Sequence, residues 1–503
     1  MSDFETFINT KSTQGGPSRA GVDVSADDWR RAGTQLADGN WDLVALWGEA
    51  DAVHMAVRDA TSNEIAIAEL ACPDGRYPSI GEMHPPAIRL ERAIRDLFGL
   101  DPVGLPDTRP WLDHGRWGVR HPLGSGVPIA LAEEPYEFLP AQGEGLHRIA
   151  VGPVHAGIIE PGFFQFTAGG ETIVRLEERL GYVHKGIEGL IAGAGLDRAI
   201  KLAGRVSGDS TVAYGFAFTR AAEAALEIEP PPRAIWLRAL MAELERIANH
   251  LGDFGAICND ASFAVMQAQC AILRERVLRT SAACFGHRLM RDCIAVGGVA
   301  VDLASDGVLL LSRLMTEIGN RLPRLSELYD KTASLQDRTV GTGILKPQLA
   351  RQYACGGFIG RASGRKFDAR KTLPYAPYDQ LVFDVPILEE GDVNARVWIR
   401  IREIEQSVSM IRQILDRLPA GALRVALPPL GVSRERAAMV EGFRGDIFVW
   451  LRLAADGSVS RCHLRDPSWF QWPLLEAAIE GNIVADFPLC NKSFNCSYSG
   501  HDL

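Results

Sequence analysis

Three long stretches of this sequence space their apolar residues at three- and four-residue steps, and a chain that carries them has to bury three helical stripes against one another. The clearest runs from Ala234 to Leu251, with Leu237, Leu240, Met241, Leu244, Ile247, Ala248 and Leu251 on one side, charges on the other, and Gly252 as the expected stop. Residues 263 to 283 repeat the pattern, and residues 395 to 418 carry Val397, Ile401, Ile404, Val408, Ile411, Leu415 and Leu418 on one stripe. With 503 residues, 47% of them hydrophobic and 23% charged, the chain has ample core for such a bundle, which excludes disorder as a whole-chain description.

The remaining text reads differently. Val44 to Trp47 and Ile65 to Leu70 suggest short strands, and Pro85 to Phe98 an amphipathic helix closed by Gly99. Asp101 to Pro140 is dense in Pro, Gly and Asp, as expected of a connection between modules. Asp446 to Leu453 and Gly457 to His463 form the best hairpin, Asp466 to Ala485 returns to helix, and a Ser-, Asn- and Gly-rich tail follows. The expected fold class is therefore α+β: a loose leader over 1–30, a small α/β domain over 31–140, and a mainly helical domain with a small β region over 141–503.

Charge supports the division. Residues 1–140 hold 12 Lys and Arg against 22 Asp and Glu, while the rest of the chain balances. An acidic module of this kind argues against nucleic acid as the partner, since phosphate binding needs a concentrated positive field. No apolar run reaches the ~18 residues of a spanning helix. The nine cysteines contain no C-x-x-C pair, so reduced thiols are the simplest expectation.

Three segments resemble a known family. PSIGEMHPPAIRLERAIRDLFGLDPVGLPDTRPWLDHGRWGVRHPL, residues 78–122, is similar to the signature of the 30-kDa-type subunit of respiratory complex I. GPVHAGIIEPGFFQF, GYVHKGIEGL and GRVSGDS, within 151–210, resemble the opening of the 49-kDa-type subunit and of group 4 NiFe hydrogenase large subunits. Residues 461–503, ending NKSFNCSYSGHDL, look like the closing segment of the same superfamily. The order matches the two subunits fused, and most resembles the branch related to energy-converting hydrogenases that lacks the metal site.

The resemblance implies the candidate site. Where the hydrogenases carry four thiolates for nickel and iron, a soft-ligand set that hydroxyls do not reproduce, this chain has Ser207 and Ser210 in the first pair. At the end of the chain one register places Ser497 and Gly500 at the ligand positions, and a register shifted by one places Cys496 and Ser499 there. No NiFe centre and no cofactor held by this chain is expected. His155 corresponds to the first His of the complex I quinone loop, the second falls near Ile158, and the quinone Tyr position is Gly208. Glu188 sits where hydrogenases place a proton-passing Glu. With His184 one helical turn before it, Glu188 is a candidate relay if burial raises its pKa toward neutrality, a rise that Arg205 or a protonated His184 close by would oppose. Arg205 is either a cation facing the cavity or a structural ion pair, and Asp209 either lines the cavity or caps the next helix. For His250 a helix-end hydrogen bond is expected, and for Trp469, Phe470 and Trp472 packing against a small subunit.

The implied setting is a membrane-associated oxidoreductase complex on the cytoplasmic face of the cell membrane, with this chain peripheral. Expected partners are a 20-kDa-like iron–sulfur small subunit with a 4Fe-4S cluster and antiporter-like membrane subunits, with quinone as a possible ligand. A true hydrogenase or quinone-reducing subunit, and a non-catalytic assembly scaffold, are the competing readings.

Overall fold

The computed structural model describes Phe4, Phe7 and residues 21–131, 135–155 and 159–503. The first layer comprises Val22–Asp23 (β1), Ala26–Ala37 (α1), Trp41–Gly48 (β2), Ala52–Asp59 (β3), Ile65–Ala71 (β4) and Ile88–Phe98 (α2). Its sheet runs β1-β4-β3-β2, antiparallel except where β1 joins β4. Helix α1 starts at Ala26, inside the stretch expected to be a loose leader. Ser25 and Asp28 form a capping box there, satisfying the first free amides of the helix. Phe4 and Phe7, also in that stretch, are buried against Trp41, with ring centroids 5.2 and 5.0 Å away. Strand β3 escaped the sequence reading because it is buried on both faces and so lacks the alternation of a half-exposed strand.

Leu146–Val151 (β5), Phe163–Gly169 (β6) and Thr172–Arg179 (β7) form a second sheet in the order β7-β6-β5. The helical body follows: Ile187–Ile191 (α3), Leu196–Ala203 (α4), Thr211–Leu226 (α5), Pro232–Asp260 (α6), Ala264–Phe285 (α7), Ser305–Lys331 (α8) and Val393–Arg417 (α9). Arg434–Glu441 (β8), Asp446–Leu453 (β9) and Val459–Arg465 (β10) make a third, antiparallel sheet. Ser468–Ile479 (α10), Phe487–Phe494 (α11) and Tyr498–Asp502 (α12) close the chain.

Helix α6 does not stop at Gly252. A Cβ there would sit 3.0 Å from the Arg274 side chain, and one on Gly255 2.8 Å from Cys270, so both glycines let α7 approach closely. Its charged face is also not solvated: Arg238, Glu243, Glu245, Arg246, His250 and Asp253 are buried. Their partners come from distant segments. Arg246 approaches Glu403 at 3.5 Å, Arg370 reaches Glu243 at 3.0 Å, and Arg361 bridges Glu403 (2.7 Å) and Glu441 (2.8 Å). His250, mid-helix, bonds Glu403 at 2.8 Å through Nε2 rather than making the expected helix-end contact.

The two modules share a core. Val44, Trp47, Ala56 and Ile67 of the first sheet pack with Met439, Phe448 and Trp450 of β8 and β9. The Pro- and Gly-rich connection is pinned as well: the Asp96 carboxylate accepts the amides of Trp111, Leu112 and Asp113 at 2.6, 2.7 and 3.1 Å. Trp469, Phe470 and Trp472 pack inside this chain, Trp469 stacking on His501 at 4.0 Å, so the expectation of a partner contact is corrected.

A joint core of this kind couples the stability of both halves. Trp450→Ala removes a fully buried ring from it and should cost about 3–5 kcal/mol. Calorimetry should show both modules melting earlier together; a shift confined to one of two separate transitions would contradict the shared core.

Candidate functional site

The segment after α4 turns back at Ser207, and the short turn Gly208–Ser210 leads into α5. Opposite it stands the first turn of α12, where Ser497 is the N-cap and accepts the Gly500 amide at 2.9 Å. The two turns meet: Ser207 Oγ lies 2.9 Å from Ser497 Oγ, although 290 positions separate them. The contact brings Ser497, of the register with Ser497 and Gly500, against Ser207. A Cβ on Gly500 would lie 2.8 Å from Ser497 Oγ and collide with the Asp466 carboxylate, which holds the Tyr214 hydroxyl at 2.6 Å.

A guanidinium occupies the middle of this constellation. Arg444, on the turn between β8 and β9, donates to both Asp209 oxygens at 2.7 and 2.6 Å, to Ser210 Oγ at 3.3 Å and to the Asn495 carbonyl at 2.6 Å. Ser207 Oγ donates to Asp209 Oδ1 at 2.7 Å. Burial pushes the Asp209 carboxyl up and Arg444 pulls it down, leaving it near 2. Asp209 is thus a lining residue; its carboxylate faces Arg444 and Ser207 rather than capping α5. Lys185 completes the rim, donating to the Val206 and Ser499 carbonyls at 3.0 and 3.3 Å.

Arg205 is the structural alternative. It forms a two-pronged pair with Asp292 at 2.9 and 2.7 Å, with both side chains about one-third exposed, and Arg444 supplies the site's cation instead. Arg444 was missed because nothing local to FRGD marks it.

Glu188 and His184 do not form the expected helical pair. Helix α3 begins at Ile187, and His184 lies in the loop before it, with Nδ1 2.6 Å from the Asp502 carbonyl. Glu188 instead takes three partners from β10: Arg461 Nη1 at 2.9 Å, His463 Nδ1 at 2.8 Å and the Leu464 amide at 3.0 Å. Burial raises its pKa, but Arg461 and His463, rather than Arg205 or His184, more than offset that and hold it near 2. His155 Nε2 lies 2.7 Å from the Gly162 carbonyl within its own loop; Ile158 lies outside the described residues. Among the described residues no group of three or more His, Cys, Asp or Glu could hold a metal ion.

Comparison with known proteins gives this geometry its context. Residues 22–131 match the 30-kDa subunit of respiratory-chain NADH dehydrogenase, and 262–436 match its 49-kDa subunit. Formate hydrogenlyase subunit 5 of Escherichia coli (strain K12) is 32% identical over 437 residues, covering 85% of this chain and 77% of that protein. The chain belongs to the superfamily of complex I 49-kDa subunits and hydrogenase large subunits, with a 30-kDa-type domain fused in front. Hydrogenase-4 component G of the same organism is 32% identical over 469 residues, covering 89% and 81% of the two chains. The C/D subunit of the NADH-quinone oxidoreductase of Phocaeicola vulgatus is 29% identical over 408 residues, covering 75% and 78%. A chain in the structure of the membrane-bound sulfane sulfur reductase, an archaeal respiratory membrane complex, superposes with a TM-score of 0.68 at 25% identity. That match covers 72% of this chain and 99% of the other. Members of this superfamily are thus oxidoreductase subunits of membrane respiratory complexes.

The Glu188 geometry has a measurable consequence. Its folded pKa lies below the ordinary 4.5, so its pairing stabilises the fold fully above 4.5 and loses that contribution as pH falls toward 2. The gain is about 3 kcal/mol. Glu188→Gln should therefore be less stable than the native chain by that amount at neutral pH, with the gap closing between 4.5 and 2 in urea titrations. A gap independent of pH would contradict it.

Proposed function

We propose that this chain is the large subunit of a membrane-associated respiratory-type oxidoreductase complex whose cavity works without a nickel–iron centre. In this reading, electrons from the 4Fe-4S cluster of a 20-kDa-like partner drive proton or ion translocation by antiporter-like membrane subunits. The observation that carries it is the identity of the groups that meet at Ser207. Where four soft thiolates would be needed, two serine hydroxyls share a hydrogen bond, Ser210 faces a guanidinium, and Gly500 has no room for a side chain. This donor set does not fit a nickel–iron pair.

What the groups do fit is an acceptor that gains negative charge. Arg444 is fixed by Asp209 and Asn495 and Lys185 by two carbonyls, so both cations stand in place before the reaction, and the serine hydroxyls need only rotate to turn their protons toward a developing anion. Burial lowers the Lys185 pKa, so its charge is the more readily displaced of the two. The chain itself is read as peripheral, on the cytoplasmic face and held by its partners: none of its described helices is long and apolar enough to cross a membrane.

Elemental analysis and a hydrogen-evolution assay on the purified complex test this directly. The expected outcome is no stoichiometric nickel and no hydrogen evolution. About one nickel per chain would overturn the reading in favour of a hydrogenase. Arg444→Met, which removes the site's central cation, should lower turnover with the physiological acceptor by roughly 100-fold, the scale of losing a preorganised electrostatic group. Unchanged turnover in an assembled Arg444→Met complex would favour a scaffold.

A further inference from the structure

Glu245, on α6, is a buried carboxylate that the site described above does not use. Its oxygens accept the amides of Val212 and Ala213 at 2.8 and 3.1 Å, in the first turn of α5, and among the described residues no cation pairs with it at salt-bridge distance. Two spaces lie nearby: Glu245 lines the smaller, and the larger meets that one at Met290 and reaches Glu245 through Val212, whose amide the carboxylate holds. On the outer side a cleft of about 360 Å³ opens between α4, α5 and the segment 290–300, lined by Lys201, Thr211, Val212, Gly215, Met290 and Asp292. On the inner side lies a small pocket of about 10 Å³, lined by Glu245 itself, Asp209, Asn249, Ser281, Arg288 and Met290.

The inner pocket carries a second, independent mark. Ser281 Oγ is fully buried there and finds no hydrogen-bond partner among the described residues. A buried hydroxyl without a partner costs roughly 1–3 kcal/mol. A pocket of this size holds one water, and a water needs two to four polar neighbours, which Ser281, Asp209, Asn249 and Glu245 supply.

We propose that Glu245 is the proton-carrying residue of this subunit, taking protons from the cleft and passing them through a single water at Ser281 to the Asp209–Ser207 cluster. The proposal rests on the reading of that cluster as the place where an acceptor gains negative charge. The step moves one proton and no electron. The O–H bond of the Glu245 carboxyl breaks as the water takes its proton. The water gives up one of its own to Ser207 Oγ, and as that O–H bond forms the original Ser207 hydroxyl proton leaves its hydrogen bond to Asp209 Oδ1, 2.7 Å away, and passes to the anion formed at the Ser207–Ser497 pair. Glu245 is left as a carboxylate and is reloaded from the cleft. Asp209, locked by Arg444, orients and does not store the proton.

The electrostatics around Glu245 suit this role. Burial is the largest influence and pushes its pKa up to about 8 against the two amide bonds; Asp209 adds to the rise and Arg246, on the same helix, opposes it. Arg274 of α7 and Arg288 after it face the inner pocket, and Lys201, Asp292, Asp197 and Arg424 face the cleft. A carboxyl poised near neutrality gives up and regains its proton with little penalty.

The test uses the purified complex. Infrared difference spectra across pH should contain the carbonyl stretch of a protonated carboxylic acid that titrates near 8 and vanishes in Glu245→Gln. Turnover of Glu245→Gln should fall roughly ten-fold or more, with Glu245→Asp restoring part of it, and native turnover should decline as pH rises through the same titration. Ser281→Ala, which leaves both amide bonds to Glu245 intact, should slow turnover several-fold and serves if Glu245→Gln does not assemble. A Glu245 band that titrates in the ordinary carboxylate range, or native-like turnover of either variant, overturns the proposal. Nickel in the complex would instead overturn the acceptor reading while leaving the carboxyl titration standing, so the two failures are distinguishable.

Discussion

The ion pair between Arg444 and Asp209 holds the candidate site together. Moving two charges out of water costs several kcal/mol for each, and only good geometry with further hydrogen bonds offsets it. Here the guanidinium faces both carboxylate oxygens, and its Nε reaches the Asn495 carbonyl. Three segments far apart in sequence are thereby fixed: the entry to α5, the β8–β9 turn and the approach to α12. Asn495 has φ +47°, a left-handed conformation that Asn tolerates, and its amide is clamped by both oxygens of Asp253 at 2.9 and 3.0 Å. Asp253 also takes Arg400 at 3.3 Å, which ties the site to α6 and α9. The hydroxyl cluster and the charged interior of the bundle are one network.

That network sets the chemistry available. Four thiolates bring negative charge that a metal dication neutralises; Arg444 sitting between Asp209 and Ser210 brings positive charge already neutralised by a carboxylate. In the proposed reading, an anion developing there would be met by the N–H groups of Arg444 and by Lys185 on the rim. Tyr214 and Asp466 occupy the flank of Gly500, so the space a fourth side chain would need is filled by a buried hydrogen bond.

Much of this could be read from the sequence, and what could not has physical reasons. The stripe of α7 emerges from periodicity because it has one clear buried face, while α9, α2 with its Gly99 cap and the β9–β10 hairpin are legible from apolar spacing and turn residues although their other faces are buried too. The motif resemblance set Ser207 and Ser497 at matched positions in one of two registers, and the fold brings these two hydroxyls together. The charged face of α6 misled because a buried ion network looks in sequence like a solvated helix face; Glu243 and Arg246 differ from surface charges only through partners such as Glu403 and Arg370, which lie more than a hundred residues away. Similarly, Glu188 finds Arg461 and His463 across 273 and 275 positions. The Ser- and Asn-rich tail, whose composition marks no periodic stripe, is buried as α11 and α12, with Ser497 capping α12 and lining the site.

Glu188 and Glu245 show why residue type alone does not assign a role. Both are buried carboxylates near the same cluster, and burial raises the pKa of each. Glu188 meets a guanidinium and an imidazole, which hold it near 2; Glu245 accepts two neutral amides, feels a second carboxylate more than it feels Arg246, and stands near 8. The first stays charged until the pH falls toward 2 and so acts as a tie between α3 and β10. For the second, the charged and neutral forms lie close in free energy at neutral pH, the condition for a group that exchanges protons. The inventory of partners, more than the depth of burial, separates a carboxylate that holds shape from one whose charge can change.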